Sequence, residues 1–159
     1  NYIGLSASLQ LALGKGELKL TSTDPHVQPF LDYNYFKEAE DLRRMREAVK
    51  LSIRICEQTS FTGILLERVN PTDADLVSDE ALNQWLMRNA GTSHHISGTC
   101  RMGPDSDPMA VLDQFCHVRG VEGLRVADAS AMPDCIRANT NATTIMIGEK
   151  VADFIKEGL

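Results

Sequence analysis

The chain has 159 residues, a formal net charge of −6, 43% hydrophobic residues and 24% charged residues, which suit a globular domain with its own core. The acidic balance argues against a nucleic-acid-binding protein, and no apolar run approaches the roughly 18 residues that span a membrane. Four cysteines without a C-x-x-C pair favour reduced thiols in a cytoplasmic protein over a metal site. The first residues include neither Met nor a basic segment, so we expect a piece of a longer protein, not a signal peptide.

Two segments of alternating polarity begin the chain. Apolar and polar residues alternate over residues 1–12 and again over 17–22, with Gly14-Lys15-Gly16 between them. This pattern predicts an antiparallel hairpin around a glycine turn. Loops containing Pro25 and Pro29 follow, because the residue before a proline is disfavoured in helical conformation.

Two helices are predicted next. From Glu38 to about Gln58, apolar residues recur at helical spacing with charged residues between them, which is typical of an amphipathic helix lying on a sheet. A second helix is predicted to begin after Ser78, a favoured N-cap residue, and to end at Gly91. Residues 59–75 are expected to form a loop.

Short strands and one long helix are predicted for the C-terminal part. Residues 111–113 and 124–127 have the composition of short strands, and residues 143–157 carry apolar side chains at helical spacing. The predicted fold class is therefore α+β, with an antiparallel sheet and packed helices.

Two motifs carry the chemistry. Residues 93–103 read SHHISGTCRMG, and residues 124–133 read LRVADASAMP, followed by NTNATT at 139–144. In this order and spacing the motifs resemble the C-terminal signature of the glucose-methanol-choline family of FAD-dependent alcohol oxidoreductases. The resemblance covers nearly the whole chain but corresponds only to the C-terminal portion of a family member.

The resemblance implies two parts. Residues 1–92 would form the substrate-binding part, and residues 93–159 the active-site loop plus the strands and helix that complete a flavin-binding domain. The family's N-terminal Gly-x-Gly-x-x-Gly loop, which holds FAD, is absent, since no third glycine follows Gly14 and Gly16 at that spacing. We therefore expect this chain alone to be inactive. The missing N-terminal region, or a second copy of the chain, is expected to cover its remaining apolar surface.

The resemblance assigns the catalytic base to His95, three residues before Gly98. Ile96 stands where the family commonly has proline. A neutral imidazole can accept the hydroxyl proton of an alcohol while hydride moves to the flavin. His94 falls on a variable position and is expected to pack or to face solvent, and Arg101 is expected to form an ion pair within the structure.

The second motif supplies the other predicted site residues. By resemblance, Asn139 is the second active-site residue, whose amide would donate a hydrogen bond to the substrate oxygen. Asp128 and Ala129 are placed against FAD, where a carboxylate can accept hydrogen bonds from ribityl or ribose hydroxyls. Thr140 and Asn141 are assigned to the cofactor as well, because they precede a helix whose positive end would face the flavin's pyrimidine edge.

Three functions remain open at this point. The favoured one is FAD-dependent oxidation of a small-molecule primary or secondary alcohol by hydride transfer. A flavin-scaffold lyase, similar to a hydroxynitrile lyase, and a non-catalytic fragment acting only through protein contacts are the alternatives.

Overall fold

A computed structural model describes residues 2–159, which fall into two compact units, one ending at Ser93 and the other running His94–Leu159. The roles inferred for residues 1–92 and 93–159 remain predictions. The elements are strands β1 (Glu17–Lys19) and β2 (Phe30–Asp32) and helices α1 (Ala39–Cys56), α2 (Asp79–Asn89) and α3 (Asn141–Glu157). This composition confirms the α+β class. None of the helices formed by residues 2–159 is long and apolar enough to cross a membrane.

The sheet of the first unit differs from the predicted hairpin. β1 pairs antiparallel with β2, Glu17 lying opposite Asp32, and residues 2–12 form no strand. Gly16 therefore does not lie in a turn between two paired strands; it passes close to β2, where an added Cβ would lie 2.2 Å from the carbonyl oxygen of Asp32. Instead, the buried Asp41 on α1 accepts hydrogen bonds from the amides of Leu13 and Gly14, so the segment before β1 is held on α1.

The two helices of the first unit form where their periodicity predicts. Ser78 caps α2 as expected, its hydroxyl oxygen accepting the amide of Ala81 at 3.1 Å. The prediction that Gly91 ends α2 is wrong: the helix ends at Asn89, and Ala90 leaves it in extended conformation while its amide donates to Leu86. No left-handed residue is needed for that exit. The buried residues of this core are Val49, Leu82 and Leu86.

The second unit is built mainly from loops packed on α3. Residues 111–113 and 124–127 do not form the predicted strands; they make isolated bridges, such as that between Leu112 and Val118. The first of these segments ends in a turn, in which the amide of Cys116 donates to the carbonyl of Asp113 at 3.1 Å and Cys116 has φ +63°. α3 forms as predicted and ends at a left-handed Gly158. The buried residues of this second core are Leu112, Cys116, Ala131, Met132, Ile147 and Val151.

Candidate active site

Backbone hydrogen bonds join the two sequence motifs within the second unit. The amide of Gly98 donates to the carbonyl of Ala129 at 3.2 Å, and the amide of Cys100 donates to the carbonyl of Ser130 at 3.0 Å. Gly98 has φ +79°, and a Cβ there would lie 3.4 Å from the carbonyl oxygen of Met132. A glycine is therefore favoured where the loop carrying His95 approaches the second motif.

Asp128 organises the turn that receives this loop. One carboxylate oxygen accepts hydrogen bonds from the amide of Ser130 at 2.8 Å and from its hydroxyl at 2.5 Å. This cap supports a single 3₁₀ turn over Ala129–Ala131. Within residues 2–159 the second carboxylate oxygen has no hydrogen-bond donor, which fits the predicted role of Asp128 toward the flavin side chain. The roles of Asp128 and Ala129 toward FAD stay predictions.

The imidazole of His95 lies beside the start of α3. Its Nδ1 is 3.1 Å from the hydroxyl oxygen of Thr140, a residue that is only 7% exposed. His95 itself is half-buried, whereas the neighbouring His94 is exposed. Because Nδ1 is engaged, Nε2 is the ring nitrogen that remains for a substrate proton.

The side chain of Asn139 caps α3 through its oxygen, and its NH₂ group remains available as a hydrogen-bond donor. Its side-chain oxygen accepts the amide of Asn141 at 3.0 Å. That bond fixes the orientation of the side-chain amide, since only the oxygen can accept from an N–H group. The NH₂ group, on an exposed side chain, is left for another acceptor, as the predicted hydrogen bond to a substrate oxygen requires.

The first turn of α3 offers amides to a cofactor. The Asn141 amide is satisfied by Asn139, and that of Thr144 donates to the carbonyl of Thr140. Within residues 2–159 the amides of Ala142 and Thr143 have no acceptor. Two free N–H groups at the positive end of a helix suit an electron-rich ligand edge, so the chain fits the predicted contact with a flavin.

The Thr140 contact is what the sequence did not reveal. The resemblance assigns Thr140 to the cofactor, but its hydroxyl oxygen lies 3.1 Å from Nδ1 of His95. A contact of Thr140 or of the Asn141 side chain with FAD stays a prediction. One sequence feature points to this contact: Asn139, two residues before Asn141, can cap the helix by itself. The Thr140 side chain is then not needed as a cap and can contact another group.

Two other side chains of the unit, Arg101 and Cys116, are affected by nearby carboxylates. Arg101 donates to Asp107 at 2.8 Å, which confirms the predicted ion pair. Burial raises the pKa of the Cys116 thiol, and the negative charge of Asp113 adds to that shift. Among residues 2–159, no three His, Cys, Asp or Glu side chains are grouped so as to hold a metal ion.

Comparison with known proteins agrees with these motifs. The family model described as GMC oxidoreductase matches residues 12–148. The chain belongs to the GMC oxidoreductase family. It is 40% identical over 141 residues to an oxygen-dependent choline dehydrogenase of Photobacterium profundum and 42% identical over 142 residues to one of Cronobacter sakazakii. In each case the match covers 89% of this chain and 25% of the relative, so the chain spans about a quarter of these GMC proteins.

Solved GMC structures resemble the chain over the same part. A variant of the formate oxidase of Aspergillus oryzae RIB40 matches with a TM-score of 0.83 and 32% identity, covering 91% of this chain and 25% of that one. A fungal aryl-alcohol oxidase matches with a TM-score of 0.75 and 30% identity, covering 90% and 23%. The proteins that resemble this chain are thus named for different substrates: choline, formate and aryl alcohols.

Proposed function

We propose that this chain is the C-terminal part of an FAD-dependent oxidoreductase that converts an alcohol into an aldehyde or ketone. The observation that carries the proposal is the grouping of His95, Thr140 and Asn139 at the start of α3, with the Gly98 amide bonded to the Ala129 carbonyl beside Asp128. The relatives are dehydrogenases and oxidases, which favours the same reaction type here.

The residues divide the reaction between them. His95 accepts the hydroxyl proton of the alcohol at Nε2, which leaves the substrate oxygen with negative charge as its carbonyl forms. The NH₂ group of Asn139 donates a hydrogen bond to that oxygen and stabilises the charge. When bound, FAD supplies the acceptor for the hydride that leaves the α-carbon.

The chain contributes only part of the cofactor site. The free amides of Ala142 and Thr143 would face the flavin ring, and Asp128 would accept hydrogen bonds from its hydroxylated side chain. The pyrophosphate would be held by the N-terminal region, which in the family carries the glycine-rich loop. Activity is therefore expected only of the full-length protein.

The test is anaerobic flavin absorbance in the full-length protein on adding a panel of alcohols. His95→Ala is expected to slow bleaching by about 10²–10⁴-fold, the usual contribution of a general base. His94→Ala, the same change at the adjacent exposed histidine, is the matched control and should bleach at the native rate.

Two results would contradict the proposal. Equal bleaching in the native protein and in His95→Ala would remove His95 from the reaction. Tight FAD binding with no bleaching by any alcohol would exclude alcohol oxidation and leave a lyase or a non-catalytic role.

A further inference from the structure

Thr140 occupies an unusual position for an N-cap residue. Threonine at an N-cap normally accepts an amide of the first helical turn through its hydroxyl oxygen. Thr140 instead has helical backbone angles, φ −76° and ψ −15°, and its side chain makes no capping hydrogen bond. The cap is supplied by Asn139, whose oxygen accepts the amide of Asn141. The lone pairs of the Thr140 hydroxyl are thereby left for another donor.

The Thr140 hydroxyl is held firmly where it meets His95. The carbonyl of Thr140 accepts both the amide of Thr144 at 2.9 Å and its hydroxyl at 2.8 Å, which anchors the backbone to α3. The side chain is β-branched, so few χ1 rotamers are available, and it is almost wholly buried. The 3.1 Å contact to Nδ1 of His95 therefore starts from a well-defined oxygen.

The direction of this hydrogen bond decides which nitrogen of His95 can act as a base. If Thr140 accepts from Nδ1–H, the neutral imidazole has an unprotonated Nε2. If Thr140 donates to Nδ1, the neutral ring carries its proton on Nε2 and cannot accept another there. Only the first arrangement is the same before and after proton transfer. In the imidazolium that forms, Nδ1–H still donates its hydrogen bond to the Thr140 oxygen.

We propose that Thr140 is a positioning residue for His95: its hydroxyl oxygen accepts the Nδ1 proton, fixes that tautomer and aims Nε2 at the substrate. The inference rests on the proposed function, in which His95 takes the hydroxyl proton. Since the Thr140 hydroxyl is neutral, its effect is on the tautomer and orientation of the ring.

The first measurement is the tautomer of His95 in the full-length protein loaded with FAD. Ring nitrogen NMR shifts of a ¹⁵N-histidine-labelled sample distinguish the two neutral tautomers, and His95→Gln identifies the signals. The native protein is expected to show a protonated Nδ1 and an unprotonated Nε2. An Nε2–H tautomer in the native protein overturns the inference without any variant.

Variants of the hydroxyl give the second measurement. Thr140→Val keeps the shape and removes the hydroxyl; it should shift His95 toward the Nε2–H tautomer and lower the rate of flavin reduction by about 10- to 100-fold, the usual cost of a misplaced catalytic group. Thr140→Ser keeps the hydroxyl and should restore both properties. Thr144→Val removes the hydroxyl bonded to the Thr140 carbonyl but keeps the amide bond from residue 144 to the same carbonyl, so it should leave the native tautomer in place.

The results separate this inference from the proposed function. If His95→Ala slows flavin reduction while Thr140→Val changes neither tautomer nor rate, the positioning role is wrong and the base stands. If the tautomer shifts in Thr140→Val but His95→Ala reduces flavin at the native rate, the ring is held as inferred but is not the base.

Discussion

The amide of Gly98 donates to the carbonyl of Ala129 at 3.2 Å, and this bond joins the loop of His95 to the turn capped by Asp128. Only two residues, Ile96 and Ser97, separate His95 from Gly98 in the chain. A change in the backbone at Gly98 is therefore transmitted directly to the imidazole.

Gly98→Ala is expected to reduce both stability and activity. At φ +79° an alanine costs about 1–2 kcal/mol, and its Cβ would meet the Met132 carbonyl at 3.4 Å. The resulting shift of the loop moves His95 away from Thr140 and slows flavin reduction. Thermal unfolding and the anaerobic reduction rate of the full-length protein measure the two effects.

Gly120→Ala is the matched control for this change. Gly120 has φ +75°, and nothing lies within 4 Å of the Cβ that alanine would add. It should therefore lose similar stability while keeping the native reduction rate. Equal loss of activity in both variants would mean that Gly98 acts only through global stability.

Asn139→Asp isolates the proposed donor role of Asn139. Aspartate retains an oxygen that accepts the Asn141 amide, so the cap on α3 survives. It cannot donate to a substrate oxygen and repels negative charge there, so flavin reduction should slow by about 10²–10³-fold. Stopped-flow reduction measures the rate, and circular dichroism checks that the helix content is native.

Asn139→Ala provides the comparison. It loses the donor as well as the cap, which adds a stability cost of about 1 kcal/mol. If Asn139→Asp retains the native rate and only the alanine variant is slow, Asn139 acts through the helix cap and not on the substrate.

Local patterns predicted the helices but not the pairing of strands. The periodicity of α1 and the Ser78 cap of α2 are encoded within a few residues of each element. The partner of β1 is not, and neither is the contact of Asp41 with the amides of Leu13 and Gly14, which are 28 and 27 residues away from it. Alternating polarity alone cannot distinguish a strand from a segment held in this way.

In the candidate site, too, local motifs predict some features, whereas contacts between distant residues are not predicted. The two motifs identified His95, Asn139 and Asp128, because their residue types and spacing carry the family resemblance. The contact between His95 and Thr140 spans 45 positions and is found together with the bond from the Gly98 amide to the Ala129 carbonyl. No pattern within either motif specifies it.

Asp41→Ala tests whether this carboxylate holds the segment before β1. The buried side chain accepts the amides of Leu13 and Gly14, and its loss leaves them without a partner at a cost of about 1–3 kcal/mol. Hydrogen exchange at these two amides should speed up and the unfolding midpoint should fall. Glu40→Ala, the neighbouring exposed carboxylate paired with Arg43, should leave both quantities unchanged. Slow exchange in Asp41→Ala would show that other contacts hold the segment.

Asp113 is expected to make the stability of the second unit depend on pH. One carboxylate oxygen accepts the amides of Phe115 and His117 at 2.9 Å, and the other lies 3.0 Å from Nδ1 of His117. Burial alone would raise the pKa of this carboxyl, but the hydrogen bonds from His117 and Phe115 together bring the pKa below its ordinary value. A lowered pKa in the folded state stabilises the protein above the ordinary pKa of about 4, and this contribution is lost as the pH falls through the folded value.

Asp113→Asn removes this contribution while keeping an oxygen for the two amides. The variant should be less stable by about 0.5–1.5 kcal/mol near neutral pH, because a charged acceptor is replaced by a neutral one. The difference should begin to shrink below about pH 4, the ordinary pKa of the carboxyl, and should disappear once the pH falls below the lowered folded value. Urea unfolding across that pH range measures it. Asp153→Asn, at an exposed carboxylate paired with Lys156, is the matched control and should show no such dependence. A constant difference between Asp113→Asn and the native protein at every pH would mean that shape at this position, not the carboxylate charge, stabilises the turn.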